Sequence, residues 1–136
     1  MADALYDLGR QKFLEGSIAY LTDTIKVALV KSTYTPNLST HQFYSDLTPG
    51  TNVIGTPQTL ASKTSTNGVA DAADVTFTAV SAGSTVSYVA IYKDTGTAST
   101  SPLIALIDTG VGLPVMTNGG DISVTWDNGS LKIFRL

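Results

Sequence analysis

The 136 residues include no cysteine, which excludes a disulfide framework and a thiolate zinc site and leaves the redox compartment open. Charge is also scarce. Asp, Glu, Lys and Arg make up 14% of the chain, against about 25% in an average domain, so hydroxyls of the abundant Ser and Thr must carry much of the solvation. The eight basic residues are scattered and the net charge is −3. Nonspecific nucleic-acid binding needs clustered Lys and Arg to displace counterions, so nucleic acid is not an expected partner. No apolar run approaches the roughly 20 residues that span a bilayer. The acidic start Met1-Ala-Asp-Ala-Leu-Tyr-Asp differs from the basic start of a secretory signal. Neither membrane anchoring nor signal-directed secretion is expected.

Motifs for chemistry are missing too. The one histidine, His41, has no recognisable partner for a Ser-His-Asp relay, and no Gly-x-Ser-x-Gly elbow occurs. Only Asp46 is near it in sequence, which makes a metal site there improbable. Gly110-Val-Gly112 runs into Leu-Pro-Val instead of a helix start, and no Gly-Lys-Ser/Thr follows, so no phosphate loop is present. Asp71 and Asp74 lack the Asp/Asn and Gly density of a calcium loop and read as solvated carboxylates. Trp126, Tyr88 and Tyr92 could form a stacking platform for sugars or bases, but Trp126 shares an apolar pattern with Val124, Leu131 and Ile133, where core packing is the simpler fate. No catalytic, cofactor-binding or metal-binding residue is assigned, and no cofactor.

What is present is β pattern. Tyr88-Val-Ala-Ile-Tyr-Lys, Pro102-Leu-Ile-Ala-Leu-Ile-Asp, Asp121-Ile-Ser-Val-Thr-Trp-Asp and Ser130-Leu-Lys-Ile-Phe-Arg are four strand segments in succession. Asn128-Gly129 between the last two suits a type I′ turn, and the resulting register would set Asp127 opposite Ser130, Trp126 opposite Leu131, Val124 opposite Ile133 and Ile122 opposite Arg135. The segment 86–93 is apolar on both faces and belongs at the centre of a sheet; Leu103 to Ile107 is a strand covered on both sides. Ile25, Val27 and Leu29 alternate along Thr24 to Lys31, the period of a strand with one buried face, and Val75, Phe77 and Ala79 do the same before a turn at Gly83. Gly119-Gly120 makes another turn.

Residues 3 to 15 carry Leu5, Tyr6, Leu8 and Phe13 on one helical stripe, with acids early, bases late and Gly16 placed for a C′ cap. Docking on the sheet is the simpler role; contact with a partner subunit is the sharper one. Ser39 as N-cap, Gln42 at N3 and a Leu38–Phe43 staple predict a second short helix, ended by Pro49-Gly50. From Thr48 to Gly68 the composition is polar, with one extended segment near Gln58 to Lys63. This stretch and the hairpin loop 94–101 are candidate contact loops. The expected fold is mainly β: one antiparallel β-sandwich-like domain over residues 1–136, with a short N-terminal α-helix in residues 1–16, packed on the domain or on a neighbour, and a second short helix near residues 39–47.

Ala4-Leu-Tyr-Asp-Leu-Gly-Arg-Gln-Lys-Phe-Leu-Glu-Gly, Thr24-Ile-Lys-Val-Ala-Leu-Val, Ile91-Tyr-Lys-Asp-Thr-Gly, Ser101-Pro-Leu-Ile-Ala-Leu-Ile-Asp-Thr and Gly119-Gly-Asp-Ile-Ser-Val-Thr-Trp-Asp-Asn-Gly together resemble small structural proteins of tailed bacteriophages. The resemblance runs over nearly the full length, and capsid decoration (cement) proteins are the nearest type. It implies a noncatalytic virion protein made in the bacterial cytoplasm and placed on the capsid surface, with the major capsid protein as partner and a homo-oligomer, foremost a homotrimer, as its state. It brings no catalytic residues and no contact motif. A tail, connector or fibre-associated role is the alternative within the virion; a carbohydrate-binding module and a hydrolase are the alternatives outside it.

Overall fold

Alternating apolar residues on the longest strands have two faces to bury, and the rest of the chain supplies a cover for each. The structure is a computed structural model describing residues 4–108, 112–126 and 132–136. In chain order its elements begin with β1 (Ala4–Leu5), α1 (Asp7–Leu14), β2 (Ile25–Lys31), a 3-10 helix (Tyr44–Leu47), α2 (Pro49–Asn52) and β3 (Val53–Thr59). There follow β4 (Thr64–Thr66), β5 (Val69–Asp71), β6 (Val75–Phe77), β7 (Thr85–Lys93), a 3-10 turn (Ala98–Thr100) and β8 (Leu103–Ile107). The last are β9 (Val115–Met116), β10 (Ile122–Val124) and β11 (Phe134–Arg135).

The main sheet has the order β1-β8-β7-β2-β3, antiparallel throughout, with β9 pairing beside the start of β7. As expected, β7 is central and β8 is buried along its whole length. One face carries Ile25, Val27, Leu29, Val89 and Ile91 and is covered by two small sheets, β6–β10 and β4–β5–β11. Phe77, Val124, Trp126 and Phe134 fill the space between. The other face carries Ala28, Val30, Ala90, Tyr92, Leu103 and Leu106, and is closed by Tyr6, Tyr34 and Leu47. The molecule is thus a β sandwich with a third, irregular layer. Burial of β2 on both faces departs from the one-sided alternation read in its sequence, because Ala28 and Val30 are apolar as well.

The pairing predicted between residues 122–124 and 133–135 is replaced by longer-range pairing, and the turn predicted at Asn128-Gly129 lies outside the described residues. Ile122 and Val124 sit opposite Phe77 and Val75, while Phe134 and Arg135 sit opposite Ala70 and Val69. The expected opposition of Val124 to Ile133 and of Ile122 to Arg135 is therefore overturned; the pairs involving Asp127, Ser130 and Leu131 lie outside the described residues. Core burial decides the matter, since separate partners let both strands lay apolar side chains on the main sheet. The grouping by face survives, with Val124, Trp126 and Ile133 in one cluster.

The N-terminal helix is shorter than predicted. Ala4 and Leu5 form a strand because Tyr6 N–H donates to Ile104 O at 2.9 Å, and the helix begins at Asp7. Leu5 and Tyr6 are buried from that strand rather than from a helical stripe. Gly16, at φ +75°, ends the helix as expected: its N–H donates to Phe13 O and that of Ser17 to Lys12 O, a Schellman motif. Gly9 lies against β8 so closely that a Cβ there would stand 2.3 Å from Leu103 O.

The second helical region is entered differently from the Ser39 and Gln42 prediction. Asn37 Oδ1 accepts from Ser39 and Thr40 N–H, folding 37–41 as a turn. Asp46 Oδ2 then accepts from the N–H of Gln42 and Phe43, capping the 3-10 helix. Asp46 competes successfully because a carboxylate accepts two donors at once, at 2.7 and 2.8 Å. Pro49 is not a stop but the first residue of α2, where its missing N–H costs nothing. The extended segment predicted near Gln58–Lys63 is displaced toward the N-terminus: β3 runs from Val53 to Thr59, and residues 60–63 lie beyond its end. In the 75–80 run alternation ends at Phe77, since Ala79 takes φ +49° and Val80 turns inward.

Candidate functional site

Five of the six tyrosines, Tyr6, Tyr34, Tyr44, Tyr88 and Tyr92, gather on the face closed by residues 32–47. The Tyr34 hydroxyl lies 3.0 Å from the Tyr6 hydroxyl and 2.6 Å from His41 Nδ1, so two phenols and the histidine form one hydrogen-bonded chain. Burial, then the bond to Tyr34, pushes the Tyr6 phenol far up, and this group stays protonated. Tyr44 stacks on Tyr92 with centroids 4.3 Å apart, and Tyr34 meets Tyr88 edge-on. These contacts fasten the 32–47 segment to the sheet. The backbone completes the attachment: Tyr44 N–H donates to Ser101 O and Leu103 N–H to Gln42 O.

The residues weighed for binding chemistry are dispersed. Trp126 is 4% exposed and donates Nε1–H to Ala73 O; Tyr92 is equally covered. Neither is available as a sugar platform. Asp74 Oδ1 accepts Trp126 N–H, whereas Asp71 contributes a backbone carbonyl to the Tyr20 hydroxyl, so these two acids have separate surroundings. Among the described residues no three His, Asp or Glu side chains gather as a metal-binding group. No described helix is long and apolar enough to cross a membrane.

Of the two candidate contact loops, 94–101 is a built structure. Ser101, buried, accepts Thr95 N–H and donates to Thr97 O, while Thr95 and Thr100 hydroxyls meet at 2.6 Å. Asp94 accepts Gly96 N–H and pairs with Lys26 at 3.0 Å; the first contact, then the second, holds its carboxyl below the usual range. Residues 95–100 are all exposed on this support. The 48–68 stretch is divided instead. Val53 pairs beside Val30 and Tyr88 toward one end of the sheet, and Thr59 beside Lys26 toward the other, where Lys26 meets Asp94. The N-terminal helix packs on its own domain, through Gly9 on β8 and Phe13 against Phe134 at 6.0 Å.

Sequence reasoning missed the tyrosine chain and the close approach at Gly9. The first had no local signal, as Tyr6 lies 28 residues from Tyr34; the second was signalled by a glycine inside a helical pattern. A scan against protein families and a search of curated proteins both find no match for this chain.

Proposed function

We propose that this protein is a noncatalytic structural subunit of a tailed-bacteriophage virion, a decoration protein that assembles as a homotrimer on the capsid surface and contacts the major capsid protein. The reading rests on the resemblance of the segments at 4–16, 24–30, 91–96, 101–109 and 119–129 to phage structural proteins. The structure adds physical support. A rigid sandwich presents a preshaped, hydroxyl-rich loop at residues 95–100, the kind of small neutral surface that suits many modest contacts repeated by symmetry. Preorganisation by Asp94 and Ser101 lowers the ordering cost of each contact.

The test is the copy number in purified particles, by quantitative mass spectrometry against the major shell subunit. A number comparable with that subunit supports shell decoration. A handful of copies per particle moves the protein to the tail or connector, and absence from particles overturns the virion assignment.

A further inference from the structure

A phenol that loses one electron becomes a strong acid, so a tyrosine is oxidised readily where a base already holds its proton. The tyrosines of this fold differ in that respect. Tyr20 donates to the Asp71 carbonyl at 2.8 Å, the Tyr44 and Tyr92 hydroxyls bond to each other, and Tyr6 bonds to Tyr34. Carbonyls and phenols do not hold a proton at neutral pH. Tyr34 is placed otherwise: the chain's one histidine sets His41 Nδ1 at 2.6 Å from its hydroxyl.

The direction of that hydrogen bond follows from its neighbours. Tyr6 is fully buried and its hydroxyl lies 3.0 Å from that of Tyr34. A buried donor left without an acceptor is costly, so Tyr6 donates to the Tyr34 oxygen. Asn37 N–H bonds to the same oxygen. With both lone pairs occupied, Tyr34 directs its own proton to His41, whose Nδ1 is therefore the bare nitrogen of the ring.

We propose that Tyr34 and His41 form a one-electron redox site that takes up and returns an oxidising equivalent from a strong small-molecule oxidant. In the step, one electron passes from the Tyr34 ring to the oxidant, the phenolic O–H bond breaks, and an N–H bond forms at His41 Nδ1. A neutral tyrosyl radical then stands beside an imidazolium. One-electron reduction sends the proton back and restores the phenol. The Tyr6 hydroxyl and Asn37 N–H remain as donors to the radical oxygen. Tyr34 is only 4% exposed, which keeps a second radical from coupling with its ring. The electron still has a short way out, because the half-buried rings of His41 and Tyr88 lie 5.5 and 6.1 Å from that of Tyr34. The inference goes beyond the virion assignment and stands whether or not the protein is found in particles.

The experiment is flash photolysis of the full chain with tris(bipyridine)ruthenium(III), generated in place as the oxidant, at about pH 8, where an ordinary histidine is neutral. Transient absorption follows the rate, and freeze-quench electron paramagnetic resonance identifies the radical. One long-lived tyrosyl radical is expected, and ascorbate should return the protein at its original mass. A fluorotyrosine placed at position 34 keeps the hydroxyl and should add fluorine couplings to the signal, whereas Tyr20→Phe should leave the signal unchanged. His41→Gln keeps an acceptor but cannot hold the proton, and should slow radical formation about a hundredfold. Heavy water should slow the step in the parent, since the O–H bond breaks in it. A signal without fluorine couplings overturns the assignment to Tyr34, and an equal rate in a folded His41→Gln overturns His41 as the proton acceptor. An unchanged rate in heavy water overturns the coupled proton transfer whether or not that variant folds. Recovery only as a cross-linked or oxygenated product overturns the return of the oxidising equivalent.

Discussion

The two faces of the main sheet are closed by different means. On one, β strands with regular alternation bring Phe77, Val124 and Phe134 onto Ile25, Val27 and Ile91. On the other, a segment of turns and short helices does the work with tyrosines, Leu47 and side-chain hydrogen bonds. A strand layer satisfies its backbone through ladders, so its interior can be purely apolar. An irregular layer must find partners for its backbone and hydroxyl groups one at a time, and does so through Asn37, Asp46 and Tyr34. The first face should therefore respond to lost volume, and the second to lost hydrogen bonds.

The largest expected effect tests the strand-closed face. Phe77→Ala should cost about 3–5 kcal/mol in urea unfolding, a fully buried ring replaced by a cavity between sheets. Leu47→Ala should cost about 2–5 kcal/mol, with a different distribution: hydrogen exchange should rise in residues 38–48 before it rises in β2 or β7. Equal acceleration across the sheet in Leu47→Ala would show that both covers belong to one cooperative unit, and the contrast would fail.

Next comes the tyrosine chain. Tyr34→Phe removes the partner of a buried hydroxyl at Tyr6 and should cost about 1–3 kcal/mol, whereas Tyr6→Phe removes the buried group itself and should cost about 1 kcal/mol. The double variant should be less destabilised than the sum of the two, because neither stranded group remains. Additive losses in thermal or urea unfolding would mean that the hydroxyls act independently.

The same contrast governs what the sequence revealed. Strands 25–31, 85–93 and 103–107 were legible because their side chains report burial by alternation or by unbroken apolarity. The helix stop at Gly16 was legible because a positive φ calls for glycine. The irregular cover was misread in detail: Ser39 and Gln42 satisfy a local capping pattern, yet Asp46 wins through contacts fixed once Phe43 pairs beside Pro102. Likewise Asn128-Gly129 is a local hairpin signal, whereas the partners of residues 122–124 and 134–135 are chosen by distant strands.

Helix α1 joins the two faces, with Tyr6 before its first turn in the tyrosine cluster and Phe13 near its end against Phe134. Gly16→Ala should cost about 1–2 kcal/mol through left-handed backbone strain alone, since nothing lies within 4 Å of the added Cβ. Its effect on exchange should stay in residues 12–18. Gly9→Ala should spread further, because the added methyl meets backbone at Leu103 and the helix must lift from β8. A Gly16→Ala variant as stable as the parent in urea would remove strain as the reason for the glycine.

The smallest effect concerns charges at the sheet end shared by both faces. Asp23 and Asp94 clasp β2 and β7 reciprocally: Asp23 pairs with Lys93 at 3.2 Å and Asp94 with Lys26 at 3.0 Å. Both carboxyls are held below their usual range, first by the Ala19 and Gly96 N–H groups and then by the lysines. A lowered folded-state value means the unfolded chain binds protons more readily, so this stabilisation is complete above the ordinary carboxyl pKa of about 3.9. It disappears as pH falls through the folded values. With side chains about a quarter exposed, each clasp should contribute no more than about 1 kcal/mol. Asp94→Asn should therefore lower stability at neutral pH by about that amount and flatten the acid limb of the stability curve, leaving the first face's response to Phe77→Ala unchanged. An unaltered acid limb in the variant would mean that Asp94 titrates alike folded and unfolded, and that the clasp adds nothing to the joining of β2 and β7.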